Sequence, residues 1–358
     1  MKKTGKILSM MLAGAMAVSA AGCSSNSSTS TTAADTTAAE SSAEETTAAE
    51  SSEAAESKET AAADGKEYKI GVLQLTQHVA LDKANEGFIA ALDDAGLNYT
   101  ADQQNASGDQ VNCVTIAEKL VNDGDDLILA IATPAAQAVA GVTSEIPILL
   151  TAVTDPAESG LVEENEHPGG NVSGTSDLTP VKEQIELLQQ LIPDAKNIGL
   201  LYCSAESNSE IQIKMAKEAC DAAGITYEDY TVPSSNEIQS VVESMVGKVD
   251  AIYAPTDNVI AAGMSTVAMI ANDNNIPVIC GESGMVGAGG LATYGIDYYQ
   301  LGYLTGEQAV RILTEGADIA EMPIEYLPAD KCELTVNKTT AETLGIDISG
   351  LENAVVVE

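Results

Sequence analysis

From Tyr68 onward the chain alternates between two textures. Short runs that are apolar at nearly every position give way to longer stretches in which apolar residues return every three or four positions. The first kind reads as strands buried on both faces, the second as helices with one covered side. Tyr68 to Leu75 is the first strand, and Ala80 to Ala95 the first helix, stopped by Gly96. Tyr99 to Gln104 and Gln110 to Asn122 repeat the pair. Leu127 to Ala132 is a buried strand that turns at once into a helix running to about Val142. Thr133 stands where an N-cap belongs and Pro134 where the first helical residue belongs. Pro147 to Ala152 is a fourth strand, leading into Thr154-Asp155-Pro156. Strands alternating with helices of this length predict a parallel sheet covered on both faces.

The pattern then restarts. Gly71, Ala95, Gly96, Tyr99 and Ser107 recur as Gly199, Ala223, Gly224, Tyr227 and Ser235, at one offset of 128. Asp126-Leu127-Ile128 followed by Thr133 is echoed by Asp250-Ala251-Ile252 followed by Thr256-Asp257. Ile146-Pro147-Ile148 is echoed by Ile276-Pro277-Val278. The fold class expected is α/β, with two doubly wound parallel-sheet lobes of one plan. Pro168 to Thr175 reads as a first crossover, Gly287 to Asp297 as a return strand toward the first lobe, and Met322 to Pro328 as a second departure. The expected first lobe is therefore 68–174 plus 292–322, and the second is 175–291 plus 323–358. Three crossovers make a hinge, and the carboxyl ends of the strands face the cleft between lobes.

Composition changes the picture at the N-terminus. Lys2, Lys3 and Lys6 precede an apolar stretch, Ile7 to Val18, that is too short to span a bilayer. Small residues then lead to Cys23, which resembles a bacterial lipoprotein signal whose cysteine is lipidated, palmitate included. Residues 24–67 are almost wholly Ser, Thr, Ala and Glu and read as a disordered acidic tether. Membrane attachment is thus expected through a lipid anchor only. A net charge of −38 argues against nucleic acid as a partner. Five further cysteines lack metal-site spacing, and their odd number leaves room for at most a partial set of disulfides.

Several segments together carry a family resemblance. They are Gly71-Val72-Leu73-Gln74, Asn105 to Asp109, Ala130 to Gln137, Thr154-Asp155-Pro156, Pro168 to Gly174, Ser176-Asp177, Asn208-Ser209 and Asp257-Asn258. The chain resembles the substrate-binding lipoproteins of ABC importers, in the subfamily associated with tryptophan and tyrosine uptake. The resemblance implies a type I periplasmic-binding-protein fold. It also implies an extracytoplasmic protein that captures an aromatic or other apolar amino acid between closing lobes. That protein would deliver its ligand to permease and ATPase subunits. No enzyme activity, cofactor or metal is expected.

An amino acid needs partners for a carboxylate, an ammonium and a side chain. Only one arginine is present, Arg311, in a helix middle where it covers a surface. The helix start at Thr133, Pro134 and Ala135 is then the candidate for the carboxylate; the alternative is that Thr133 merely caps its own helix. Asp177 and Asp257 are candidates for the ammonium, each alternatively a cap for the helix that follows. Asp155 is either a turn former or a ligand contact, and Thr154 is the better polar candidate beside it. Gln74, Thr76 and His78 follow the first strand, with Asn208 and Asn258 on the second lobe, as walls of the pocket. Nucleoside or sugar binding by the same fold, or a sensing ectodomain serving a membrane receptor, are the competing readings. A hydrolase is disfavoured, because Gly281-Glu282-Ser283-Gly284 lacks the spacing of a nucleophile elbow.

Overall fold

The computed structural model describes residues 65–328 and 331–358. The leader, Cys23 and the tether as far as residue 64 lie outside the described residues. The first lobe is built from β1 (Tyr68–Gln74), α1 (Val79–Asp94), β2 (Tyr99–Asn105), α2 (Gln110–Asp123), β3 (Leu127–Ile131), α3 (Thr133–Ala140), β4 (Ile148–Val153) and β5 (Val172–Ser176). β3 and β4 are buried at every position, as central strands of a two-sided sheet must be. The second lobe repeats this order. It contains α4 (Val181–Leu191), β6 (Asn197–Cys203), α5 (Ser207–Ala223), β7 (Thr226–Val232), α6 (Ile238–Met245), β8 (Ala251–Ala254), α7 (Asn258–Ala262), α8 (Met264–Asp273), β9 (Val278–Cys280), α9 (Ser283–Gly287) and β10 (Ala292–Gly295). α10 (Tyr298–Val310), β11 (Glu325–Tyr326), β12 (Glu333–Asn337), α11 (Lys338–Leu344) and β13 (Val355–Val357) complete the chain.

The six-stranded sheet runs β11-β5-β4-β3-β1-β2, and all its pairings are parallel. The seven-stranded sheet runs β13-β12-β10-β9-β8-β6-β7, with one antiparallel pairing, β10 to β12. The α/β class with two parallel-sheet lobes stands as the sequence led us to expect. Apart from the extra edge strand β13, the order of strands in the two sheets is the same, with β5 matched by β10 and β11 by β12.

That symmetry corrects the lobe boundaries. The strand at 292–295 does not return to the first lobe: Ala292 pairs with Ile279, and residues 292–295 pair with β12. It fills the fifth-strand slot that β5 fills in the first sheet. The crossing comes immediately afterwards, at Ile296 and Asp297, because α10 packs along α1. Likewise residues 325–326 still belong to the first sheet, beside Thr175 and Ser176. Three crossings remain, now after β5, after β10 and after β11.

The α1–α10 contact is what ties the returning helix to the first lobe. A Cβ on Gly302 would collide with the backbone of Ala84, and one on Gly87 with the backbone of Tyr299. The two helices therefore touch backbone to backbone, and α10 is held rigidly beside the hinge. All five cysteines of the described part are free thiols, so no disulfide braces either lobe.

Candidate functional site

The carboxyl ends of both sheets face one another, and each wall is shaped by short connections. On the first lobe β3 passes into α3 with no linker. Ala132 takes the cap position at φ 83° and ψ 151°, and Thr133 is already helical. This corrects the expectation that Thr133 is the N-cap. Ala132 N–H is committed to Thr151 O at 3.1 Å, so the chain must turn within a single residue. No side chain caps this helix, and Thr133 Oγ1 is buried without a hydrogen-bond partner. Ala152, at the end of β4, also has a positive φ, of 55°. Backbone strain of this kind, worth roughly 1–3 kcal/mol per residue, concentrates at ligand sites.

Asp177 follows β5 directly and is buried. It accepts hydrogen bonds from Thr154 Oγ1 at 3.1 Å and from Tyr298 Oη at 2.8 Å, and from no basic group. Burial raises its carboxyl to about 6. Glu282 is buried too; its carboxylate caps α9 through Gly284 N–H and Met285 N–H, and burial pushes it up to about 7. On the second lobe, Glu206 gathers three donors on one oxygen, Oε2. They are Asn258 N–H at 3.2 Å, Asn258 Nδ2 at 2.7 Å and Asn208 Nδ2 at 3.1 Å. Burial, and then the neighbouring Asp257, raise Glu206 to about 8.

Asp257 is engaged differently. Its oxygens accept from Cys203 N–H at 2.6 Å, Ser209 Oγ at 2.7 Å and Ile260 N–H at 2.8 Å. It caps α7 and staples α5 to β6. Asp155 organises its own loop, accepting from Ala157 N–H, Glu158 N–H and Asn165 Nδ2. Gln74 and Thr76 line a separate polar pocket of about 580 Å3 against Asn85 and Gln103, wholly within the first lobe.

Between the walls lies a nearly shut cavity of about 10 Å3, room for about one water. Its lining includes His78, Asp177, Asp257, Asn258, Glu282 and Tyr298, with Leu81, Ala152 and Ala261 as the apolar share. Among the described residues, no lysine or arginine lines it. Arg311 pairs with Glu325 well away from it. Among the described residues, His78 Nδ1 in the lining is buried and unpartnered, and so are Thr133 Oγ1 and Asn208 Oδ1 outside it. Among the described residues, and apart from the bonds to Asp177 at the crossing, four side-chain hydrogen bonds span the lobes: His78 to Asn258 at 3.3 Å, Gln110 to Ala205 O at 3.3 Å, Gln137 to Ser207 at 3.4 Å and Gln212 to Thr154 at 3.3 Å. All are longer than the usual 2.9–3.0 Å, so each holds the lobes together only weakly.

The structure thus brings His78, Asp177, Asp257 and Asn258 to one cavity. Thr154 and Asn208 bond to lining residues, Asp177 and Thr256, while Thr133, Pro134 and Ala135 begin α3 outside the lining. The fold sets Gln74, Thr76 and Asp155 apart. Tyr298 is a lining residue that the sequence does not mark. Tyr298 carries no periodicity signal, being simply the first residue of a helix. Glu206 is His78 displaced by the repeat offset of 128, which already places it at the equivalent turn of the second lobe.

Two similar α/β lobes, joined by three crossings and closing by weak contacts on a small polar cavity, define a solute-binding protein of the type I periplasmic-binding kind. The chain belongs to the ABC transporter substrate-binding protein family, whose model matches residues 69–356. It is 40% identical to a tyrosine-binding protein of Clostridioides difficile strain R20291, over 99% of this chain and 96% of the relative. A Streptococcus pneumoniae ABC domain solved in complex with L-Trp is 40% identical, with a TM-score of 0.79 over 82% of this chain and 100% of that one. The ligand-free, open structure of a Clostridium difficile substrate-binding protein with adhesive properties is 43% identical over 81% of this chain and 99% of that one. Its TM-score is only 0.63.

Proposed function

We propose that this protein is the extracytoplasmic receptor of an amino-acid importer, taking an aromatic amino acid such as tyrosine or tryptophan between its lobes. The observation that carries the reading is the charge pattern of the cavity. Buried carboxyls line it and no basic side chain among the described residues does, while an uncapped helix start with an orphaned buried hydroxyl follows β3 directly on the first lobe. A lone cation would leave that helix start unanswered, and a lone anion would meet the carboxyls. A zwitterion answers both.

The α-carboxylate takes Thr133 Oγ1 and the N–H groups at the start of α3. The ammonium takes Asp177, whose only present donors are two neutral hydroxyls, and the orphaned Asn208 Oδ1. Closure by four long hydrogen bonds fits a capture device. Little free energy separates open from closed, so the ligand's own contacts decide the balance. No helix among the described residues is long and apolar enough to cross a membrane. We infer that Cys23 is lipidated and that residues 24–64 tether the lobes beside permease and ATPase partners.

The test is a thermal-shift panel of amino acids, nucleosides and sugars on ligand-stripped protein. Tyrosine and tryptophan should raise the melting temperature by several degrees through linkage. Stabilisation by a nucleoside or sugar, with none by any amino acid, refutes the reading.

A further inference from the structure

His78 offers more than a place in the wall. Asn258 fixes its tautomer. Three donors converge on Glu206 Oε2, including Asn258 Nδ2 at 2.7 Å, so that oxygen is an acceptor and the amide is oriented by it. Asn258 Oδ1 therefore faces His78 Nε2 at 3.3 Å and accepts from it. The imidazole proton is spent on that bond. Burial also holds the ring neutral, lowering its pKa below the usual value. Nδ1 is left as a bare lone pair, buried and without a partner. The histidine lines the same cavity as Leu81, Ala152 and Ala261, the apolar share on which a ligand's hydrocarbon would rest.

We propose that His78 Nδ1 is the acceptor for a hydrogen-bond donor on the ligand's side chain, so that the site selects an amino acid with a phenol O–H or an indole N–H over phenylalanine. The inference rests on the amino-acid reading above. A ligand with the donor completes the last buried valence of the histidine. Phenylalanine closes the cavity and leaves it unpaired, an omission that lowers affinity by about 10- to 100-fold. Asn258 and Glu206 act at one remove: they choose which nitrogen carries the proton.

Calorimetric titration of ligand-stripped protein with L-tyrosine, L-tryptophan and L-phenylalanine tests this, in the wild type and in His78→Leu. The wild type should bind tyrosine and tryptophan at least about tenfold more tightly than phenylalanine. In His78→Leu that preference should shrink toward unity, on top of whatever common loss follows from the missing bond to Asn258. A general loosening of the latch would instead weaken all three ligands alike, and that result overturns the assignment. Equal binding of tyrosine and phenylalanine by the wild type also overturns it while leaving the amino-acid reading intact. If none of the three binds, both fall. The wild-type comparison decides even if the variant misfolds.

Discussion

Asp177 sets a stability cost against a binding gain, and Asp177→Asn separates the two. Its carboxyl rises from 3.8 to about 6 in the folded protein because it is buried with two hydroxyl donors and no cation. At about 1.4 kcal/mol per pH unit, keeping it ionised costs the ligand-free fold roughly 3 kcal/mol. The folded value lies above the unfolded one. The associated stability is therefore fully present below about pH 4 and is lost as pH rises through about 6. Asparagine has nearly the shape of the protonated acid and never ionises. Its amide must share space with two hydroxyls, which takes back part of the gain. Ligand-free Asp177→Asn should accordingly be more stable than wild type by about 1–2 kcal/mol at pH 7.5, a rise of a few degrees in melting temperature. At pH 4 the two should be nearly equal. Amino-acid affinity should fall by about 100-fold or more, since the ammonium loses its ionic partner. Protein unfolded and refolded to strip bound ligand, melted at both pH values and then titrated calorimetrically, gives every quantity. A variant less stable than wild type at pH 7.5, or one that binds normally, refutes the reasoning.

Three other substitutions follow from the same geometry. Asp257→Ala should destabilise the fold by about 2–4 kcal/mol in urea unfolding, because it strands Cys203 N–H, Ser209 Oγ and Ile260 N–H in the interior. Thr133→Val should leave stability within about 0.5 kcal/mol, since the hydroxyl has no partner to lose, while weakening amino-acid binding about tenfold by calorimetry. Gly302→Ala should cost about 2 kcal/mol or more in thermal unfolding, by forcing α10 away from the Ala84 backbone.

Much of this was legible in the sequence. The repeat at offset 128 announced two lobes of one plan, and Gly96 and Gly224 marked helix ends that the structure places at positive φ. The lobe boundary was harder. Whether residues 292–295 join one sheet or the other depends on their pairing with β12, some forty residues on, which no local pattern records. Asp257 illustrates another limit. A carboxylate before a helix looks the same in sequence whether it caps or binds. Only the fold shows that three donors meet it while it also lines the cavity. The unpartnered atoms at Thr133, Asn208 and His78 are the clearest marks of the site, and such a vacancy is a property of the assembled walls rather than of any residue type.

Asp177 stands directly after the first crossing strand, and Tyr298 directly after the second crossing. Their hydrogen bond therefore lies close to the axis about which the lobes turn. Whatever the ligand does there acts on the short arm of a lever. A displacement too small to matter at the pivot is multiplied toward the far rims of the lobes. A transporter that inspects only those rims would read, enlarged, whether the right molecule is seated at the fulcrum.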